Sequence, residues 1–110
     1  MPVLIHCRYR IPATVRDVWV ESSKRMQALS RVEEGCIGYA FSFDVADPEI
    51  AYVYEAWTTR ELLEIHAKAP HHDARTAELR QLEGIDYQEI TFYDVPDDGV
   101  HDMLARARPK

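Results

Sequence analysis

Apolar and polar residues alternate over residues 3 to 11, VLIHCRYRI, with Val3, Ile5, Cys7, Tyr9 and Ile11 on one parity and Leu4, His6, Arg8 and Arg10 on the other. A two-residue period is that of a strand with one drier side. From Thr14 the period lengthens. Val15, Val18, Trp19, Met26, Leu29 and Val32 recur at three- and four-residue steps, which predicts one long amphipathic helix capped by Thr14, favoured at its start by Asp17 and ended by Gly35. Alternation returns in residues 36 to 44, CIGYAFSFD, where Ile37, Tyr39, Phe41 and Phe43 stand against small or polar neighbours. After the turn-forming VADPE it resumes in residues 50 to 57, IAYVYEAW, so the two runs read as a hairpin.

Thr58 followed by Glu61 has the spacing of a capping box and predicts a helix carrying Leu62, Leu63, Ile65 and His66. Pro70 is excluded from a helix interior but suits a first turn. The chain is therefore expected to break there and start a second helix over about residues 71 to 82, closed by Gly84. Residues 85 to 95, IDYQEITFYDV, are β-branched and aromatic and predict a last strand. The order β-α-β-β-α-(α)-β is that of a ferredoxin-like α+β fold, an antiparallel sheet with helices on one face. One domain is expected over residues 1 to 95 and a polar tail over residues 96 to 110. Aromatic residues fall on both strand parities, Tyr39, Phe41 and Phe43 on one and Tyr52 and Tyr54 on the other. The bare side of the sheet is thus expected to pack on that of a second copy, giving a homodimer built sheet on sheet.

Composition narrows the partners. Thirteen basic against nineteen acidic residues give a net charge of −6, with no run of five like charges, which disfavours nucleic acid and anionic membranes. No apolar run approaches the 18 residues of a membrane span, and the N-terminus lacks the pattern of an export leader. Two cysteines in 110 residues do not make a disulfide scaffold, so a reducing cytoplasm is the expected location. No glycine-rich phosphate loop is present: Gly35, Gly38, Gly84 and Gly99 are isolated, and the GxxG of EGCIG follows a helix and opens a strand, the reverse of a nucleotide loop.

The runs EGCIGYAFSFD, DPEIAYVYEAW and TTRELLEIHAKAPH resemble the antibiotic biosynthesis monooxygenase family, the dimeric α+β barrel group that includes quinol monooxygenase-like proteins. The resemblance covers about residues 3 to 95. Its most specific part is Glu55-x-Trp57, a Thr at the helix start, His66, and Pro70-His71. It implies a pocket in each subunit between sheet and helices, and oxygenation of electron-rich phenols without metal, flavin or other cofactor. Two departures matter. The chain contains no asparagine, so a family mechanism that uses an Asn on the first strand cannot operate, and Cys7 takes that place. The haem-degrading branch uses a histidine in the last helix, where this chain has Thr76, so haem degradation is disfavoured.

Triplet dioxygen reacts poorly with closed-shell molecules, whereas a deprotonated quinol can give up an electron to it. The protein must then supply an apolar cavity, a base, and donors for the developing oxyanion. Histidine, with an ordinary pKa of about 6.5, suits the base. His66 and His71 are the candidates, and His72 is expected to face elsewhere. A metal is disfavoured, because on a continuous helix His66 and His71 would stand about 140° apart. Trp57, Tyr39 and Tyr54 are candidates for a wall that stacks on the ring and donates to its oxygens. Glu55 shares the face of Trp57 and can orient a histidine; Cys7 could line the pocket, and an inert small hydrophobe is the simpler reading of it. Trp19, Phe41 and Phe43 read as core. The leading expectation is a cofactor-independent monooxygenase acting on a quinol. The alternatives are an acid-base isomerase of a small metabolite, and a non-catalytic dimeric module that binds ligand or is associated with stress.

Overall fold

Strands β1 (Val3–Arg10), β2 (Cys36–Phe43), β3 (Ile50–Trp57) and β4 (Asp86–Asp94) form one antiparallel sheet in the order β2-β3-β1-β4. This is the ferredoxin-like arrangement, with helices α1 (Arg16–Arg31), α2 (Arg60–Ala67) and α3 (Pro70–Arg80) as its helical complement. The computed structural model describes residues 1 to 96; the expected tail lies outside the described residues from residue 97 on. None of the described helices is long and apolar enough to cross a membrane.

The register sorts the sheet into two faces. Ile5 pairs with Glu55 and Cys7 with Val53, while Tyr39 pairs with Glu55 and Phe41 with Val53. These residues, with Tyr9 and Trp57, therefore share the side that the helices cover. Val3, Ile5, Cys7, Tyr9 and Ile11 are all buried, as the alternation in β1 predicts. Trp19 from α1 anchors the core, meeting Phe41 and Phe43 edge-on at 5.4 Å each and Tyr9 at 6.3 Å; contacts of this kind add about 0.5–1.5 kcal/mol each beyond their buried area. α1 also covers the outer edge of the sheet. Arg31 Nε donates to the Tyr39 carbonyl at 2.8 Å and the Phe41 N–H donates to Gln27 Oε1 at 3.1 Å, which occupies main-chain groups that an edge strand otherwise leaves open.

Several local expectations need correcting. Thr14 does not cap α1: it sits inside a 3-10 turn, Ala13–Val15, whose Ala13 N–H donates to Glu49 Oε2 at 3.2 Å, and the N-cap is Val15, which makes no side-chain cap. The buried stripe of α1 is Trp19, Ser22, Ser23, Met26 and Ser30, whereas Val18, Leu29 and Val32 are exposed. Small serines let the helix lie close to the sheet, and the apolar spacing alone hides that choice. Ile37 does not share the face of Tyr39, because the β2–β3 register shifts between Cys36 and Gly38 and leaves it as the extra residue, 57% exposed. At the start of α2 the cap is Thr59, whose hydroxyl accepts from Leu62 N–H at 3.2 Å, and not Thr58. The break at Pro70 stands as expected, with proline opening α3.

Gly35 ends the turn after α1 at φ +85°, and a Cβ there would lie 2.4 Å from Leu62 Cδ1. Only glycine allows that backbone and that approach. The contact presses the turn carrying Glu33 onto α2, with consequences for the site below.

Candidate active site

Beneath α2 and α3 the helix-side face of the sheet opens into a cavity of about 490 Å³. Its walls are mostly apolar: Ile5, Cys7, Met26, Tyr39, Phe41, Leu63, Ile90 and Phe92 among others. Its polar lining includes Glu55, His66, His72 and Arg75, with Arg60, Glu64 and Thr76 from the helices. A pocket of this size with a few convergent polar groups suits a small aromatic molecule.

His66, in the last turn of α2, is almost fully buried, and its two nitrogens have different surroundings. Nδ1 lies 2.6 Å from Glu33 Oε2, a hydrogen bond to the turn after α1. Among the described residues Nε2 has no hydrogen-bond partner, and Glu55 Oε1 is 3.6 Å away. An ionised Glu33 needs the proton on Nδ1, which leaves the Nε2 lone pair free; a carboxylate behind a histidine sets the tautomer in this way. The Trp57 ring lies against the imidazole with centroids 4.5 Å apart, and Tyr39 stands 5.6 Å away on another side.

Burial pushes the Glu55 carboxyl up from the ordinary carboxylate range, opposed by the Trp57 N–H and the nearby His66, and Glu33 adds to the rise. Trp57 Nε1 donates to Glu55 Oε1 at 3.1 Å. Burial also raises the Cys7 thiol, and it raises the Tyr39 phenol so far that it keeps its proton across the physiological range. It lowers His72, with His66 as the next cause, and it lowers Arg75, opposed by the surrounding tyrosines and by the carboxylate of Glu78.

The sequence-predicted residues separate into those that face the cavity and those that do not. His66, Glu55, Tyr39 and Cys7 line it. Trp57 does not: it is completely buried behind His66 and Glu55, so it positions them and offers no wall to a ring. Tyr54 is also off the site. It pairs with His6 and Ala40 on the other side of the sheet, 41% exposed, with its ring against Gly38. His71 sits outside the lining, and its Nε2 contacts Glu33 Oε2 at 3.1 Å. His72 corrects the expectation that it faces elsewhere, for it lines the cavity and stands edge-on to His66 at 5.2 Å. The break at Pro70 resets the helical phase, so continuous-helix angles do not apply across it.

That break also brings His66 and His71 together on Glu33, with ligand atoms within 4.8 Å of one another, a spacing that would suit a cation. A metal there would have to replace both histidine contacts to Glu33. Glu33 and Arg75 are the residues that sequence reasoning missed. Nothing in the acidic pair before Gly35 marks Glu33 over Glu34, and Arg75 reads as one of several charges on a polar helix.

A family model described as antibiotic biosynthesis monooxygenase matches residues 2–77. The chain belongs to the antibiotic biosynthesis monooxygenase family. Solved structures share its fold. One is a Deinococcus radiodurans protein described as a candidate antibiotic biosynthesis monooxygenase, with TM-score 0.80 and 21% identity over 86% of this chain and 93% of that one. Another is a conserved protein of unknown function from Bacteroides thetaiotaomicron, with TM-score 0.76 and 22% identity over 86% and 97% of the two chains. A third is Rv0793 from Mycobacterium tuberculosis, with TM-score 0.77 and 20% identity over 89% and 98%. No curated protein sequence matches.

In this member of the family the raised carboxyl of Glu55 has a cost. A carboxyl whose folded-state pKa exceeds its unfolded value binds more protons folded than unfolded, so it weakens the fold increasingly as pH rises above the unfolded value. Glu55→Gln keeps an acceptor for Trp57 and removes the charge. It is expected to raise the thermal midpoint at neutral pH by several degrees, about 1 kcal/mol. The gain should fade as pH falls below about 4, where the glutamate is protonated in both states. Thermal melts of both proteins at the two pH values check it.

Proposed function

We propose that the chain is a cofactor-independent monooxygenase that oxidises a quinol or a related electron-rich aromatic, and that it works as a homodimer. The observation that carries the reading is the free Nε2 of His66, buried at the cavity wall with Glu33 behind Nδ1. In this reading Nε2 takes a phenolic proton from a bound ring, and Glu33 steadies the imidazolium that results. Tyr39, which holds its proton, donates to the phenolate oxygen. The anion gives an electron to dioxygen, a carbon–oxygen bond forms on the ring, and the oxygen–oxygen bond breaks as water leaves. One oxygen atom enters the product, which ends at the quinone level. The substrate supplies all four electrons, so no external reductant is needed.

The dimer is supported by the side of the sheet away from the cavity. Tyr54 and Tyr93 are exposed there beside Leu4, Tyr52 and Ala56, with His6, Arg8, Thr91 and Glu89 on the same face, and an aromatic-rich sheet face with polar residues around it suits a second copy. A reducing cytoplasm fits the two cysteines, both free thiols.

Oxygen uptake tests the reading. Chelator-treated protein supplied with a panel of quinols is expected to consume one dioxygen per quinol well above the autoxidation rate. An acid-base isomerase or a binding module would leave oxygen untouched.

A further inference from the structure

Arg75 is a buried cation that no described carboxylate meets in an ion pair, although Glu78 acts on it from a distance. It lies on α3, is 7% exposed, and lines the cavity. One of its five donors is used by Ser22, whose hydroxyl accepts from Nη1 at 2.9 Å. The guanidinium rests over the rings of Phe41 at 4.6 Å and Trp19 at 5.3 Å. Among the described residues it forms no ion pair: Glu78, one turn further along α3, is held by Arg25 at 2.5 Å. Aromatic faces offset part of the cost of burying a cation, but a buried charge without a counter-charge remains costly.

The contacts also place Arg75 away from the base. Tyr39 meets His66 at 5.6 Å and Phe41 at 5.5 Å, and Arg75 lies on Phe41. A molecule lying along the Tyr39–Phe41 wall would thus have His66 at one end and the guanidinium at the other. A guanidinium fork matches a carboxylate in two parallel hydrogen bonds. A phosphate would call for more donors than this otherwise aromatic end provides.

We propose that Arg75 is a substrate-binding residue that selects aromatic acids, pairing with a ring carboxylate so that the hydroxyl end of the ring meets His66. This deepens the oxygenase reading by naming the substrate class, yet the charge preference is measurable without turnover. Calorimetric titration of the full chain without oxygen, at neutral pH, compares 2,5-dihydroxybenzoate, its methyl ester and 1,4-dihydroxybenzene. The acid is expected to bind about tenfold tighter or more than either neutral ligand. Arg75→Gln is expected to erase that preference, and Arg75→Lys to keep part of it. Equal affinity for the acid and its ester, no binding of the acid, or an unchanged preference in folded Arg75→Gln would overturn the proposal. The ester comparison needs only the unaltered protein and decides the matter if the variant does not fold. Oxygen uptake with a neutral quinol but no preference for the acid would keep the oxygenase and remove this assignment; preference for the acid without oxygen uptake would do the reverse.

Discussion

His66→Ala is expected to lower quinol-dependent oxygen uptake about a hundredfold or more, the usual contribution of a positioned base. The expectation follows from the environments of its two nitrogens. Nδ1 is engaged by Glu33 at 2.6 Å, and among the described residues Nε2 has no hydrogen-bond partner, with Glu55 Oε1 at 3.6 Å. A histidine serving the core alone would have both nitrogens satisfied. His71→Ala should cost much less, about threefold to tenfold, because His71 lies outside the cavity lining and touches the site from behind, through Glu33 and the His66 ring. Glu33→Gln should fall between the two. It keeps an oxygen near Nδ1 but removes the charge that steadies the imidazolium, so the loss should appear in kcat more than in KM. Near-ultraviolet circular dichroism establishes that each variant remains folded. If His66→Ala stayed within a few-fold of the unaltered protein while His71→Ala collapsed, the roles given to the two rings would be exchanged.

Trp57→Ala is expected to cost about 3–5 kcal/mol of stability, the range for removing a fully buried large aromatic. For a domain with a typical stability of about 5–15 kcal/mol that is a large share. Two effects combine. The indole leaves a cavity at the end of β3 beneath His66, and Glu55 loses the one hydrogen-bond donor it has among the described residues, at 3.1 Å, which leaves a buried carboxyl less compensated. Trp57→Phe should cost less, since it fills most of the space and loses only the donor. Urea midpoints for the three proteins measure both effects. Equal loss for Phe and Ala would mean that the hydrogen bond dominates, and a negligible loss for Ala would contradict the packing described.

Much of the architecture was legible because strands advertise themselves by parity. The alternation in β1 names its buried side correctly, and the same parity puts Glu55 and Trp57 together. By that rule Tyr54, one step out of phase with both, belonged to the other side of the sheet, so ring chemistry made it a binding candidate against its own parity. Local caps were less legible, because tertiary contacts shape the entry to α1: Glu49, distant in sequence, takes the Ala13 N–H, Thr14 falls inside the 3-10 turn, and the N-cap becomes Val15 without a side-chain cap. The site depends still more on distant neighbours. Glu33 reaches His66 across 33 positions, and Gly35 permits it by letting α2 approach. His72 and Arg75 lie beyond Pro70, where the helical phase starts afresh, so their direction could not be carried over from α2.

The central claim is that electrons from the ring itself reduce dioxygen after His66 takes a proton, and labelled oxygen tests it most directly. Chelator-treated protein should be mixed with a quinol under 18O2, and the quinone product and the water analysed by mass spectrometry. The account predicts one labelled atom in the product and one in water for each turnover, at a rate that collapses in His66→Ala. A product without label, or a labelled product formed only when metal is restored, would contradict it.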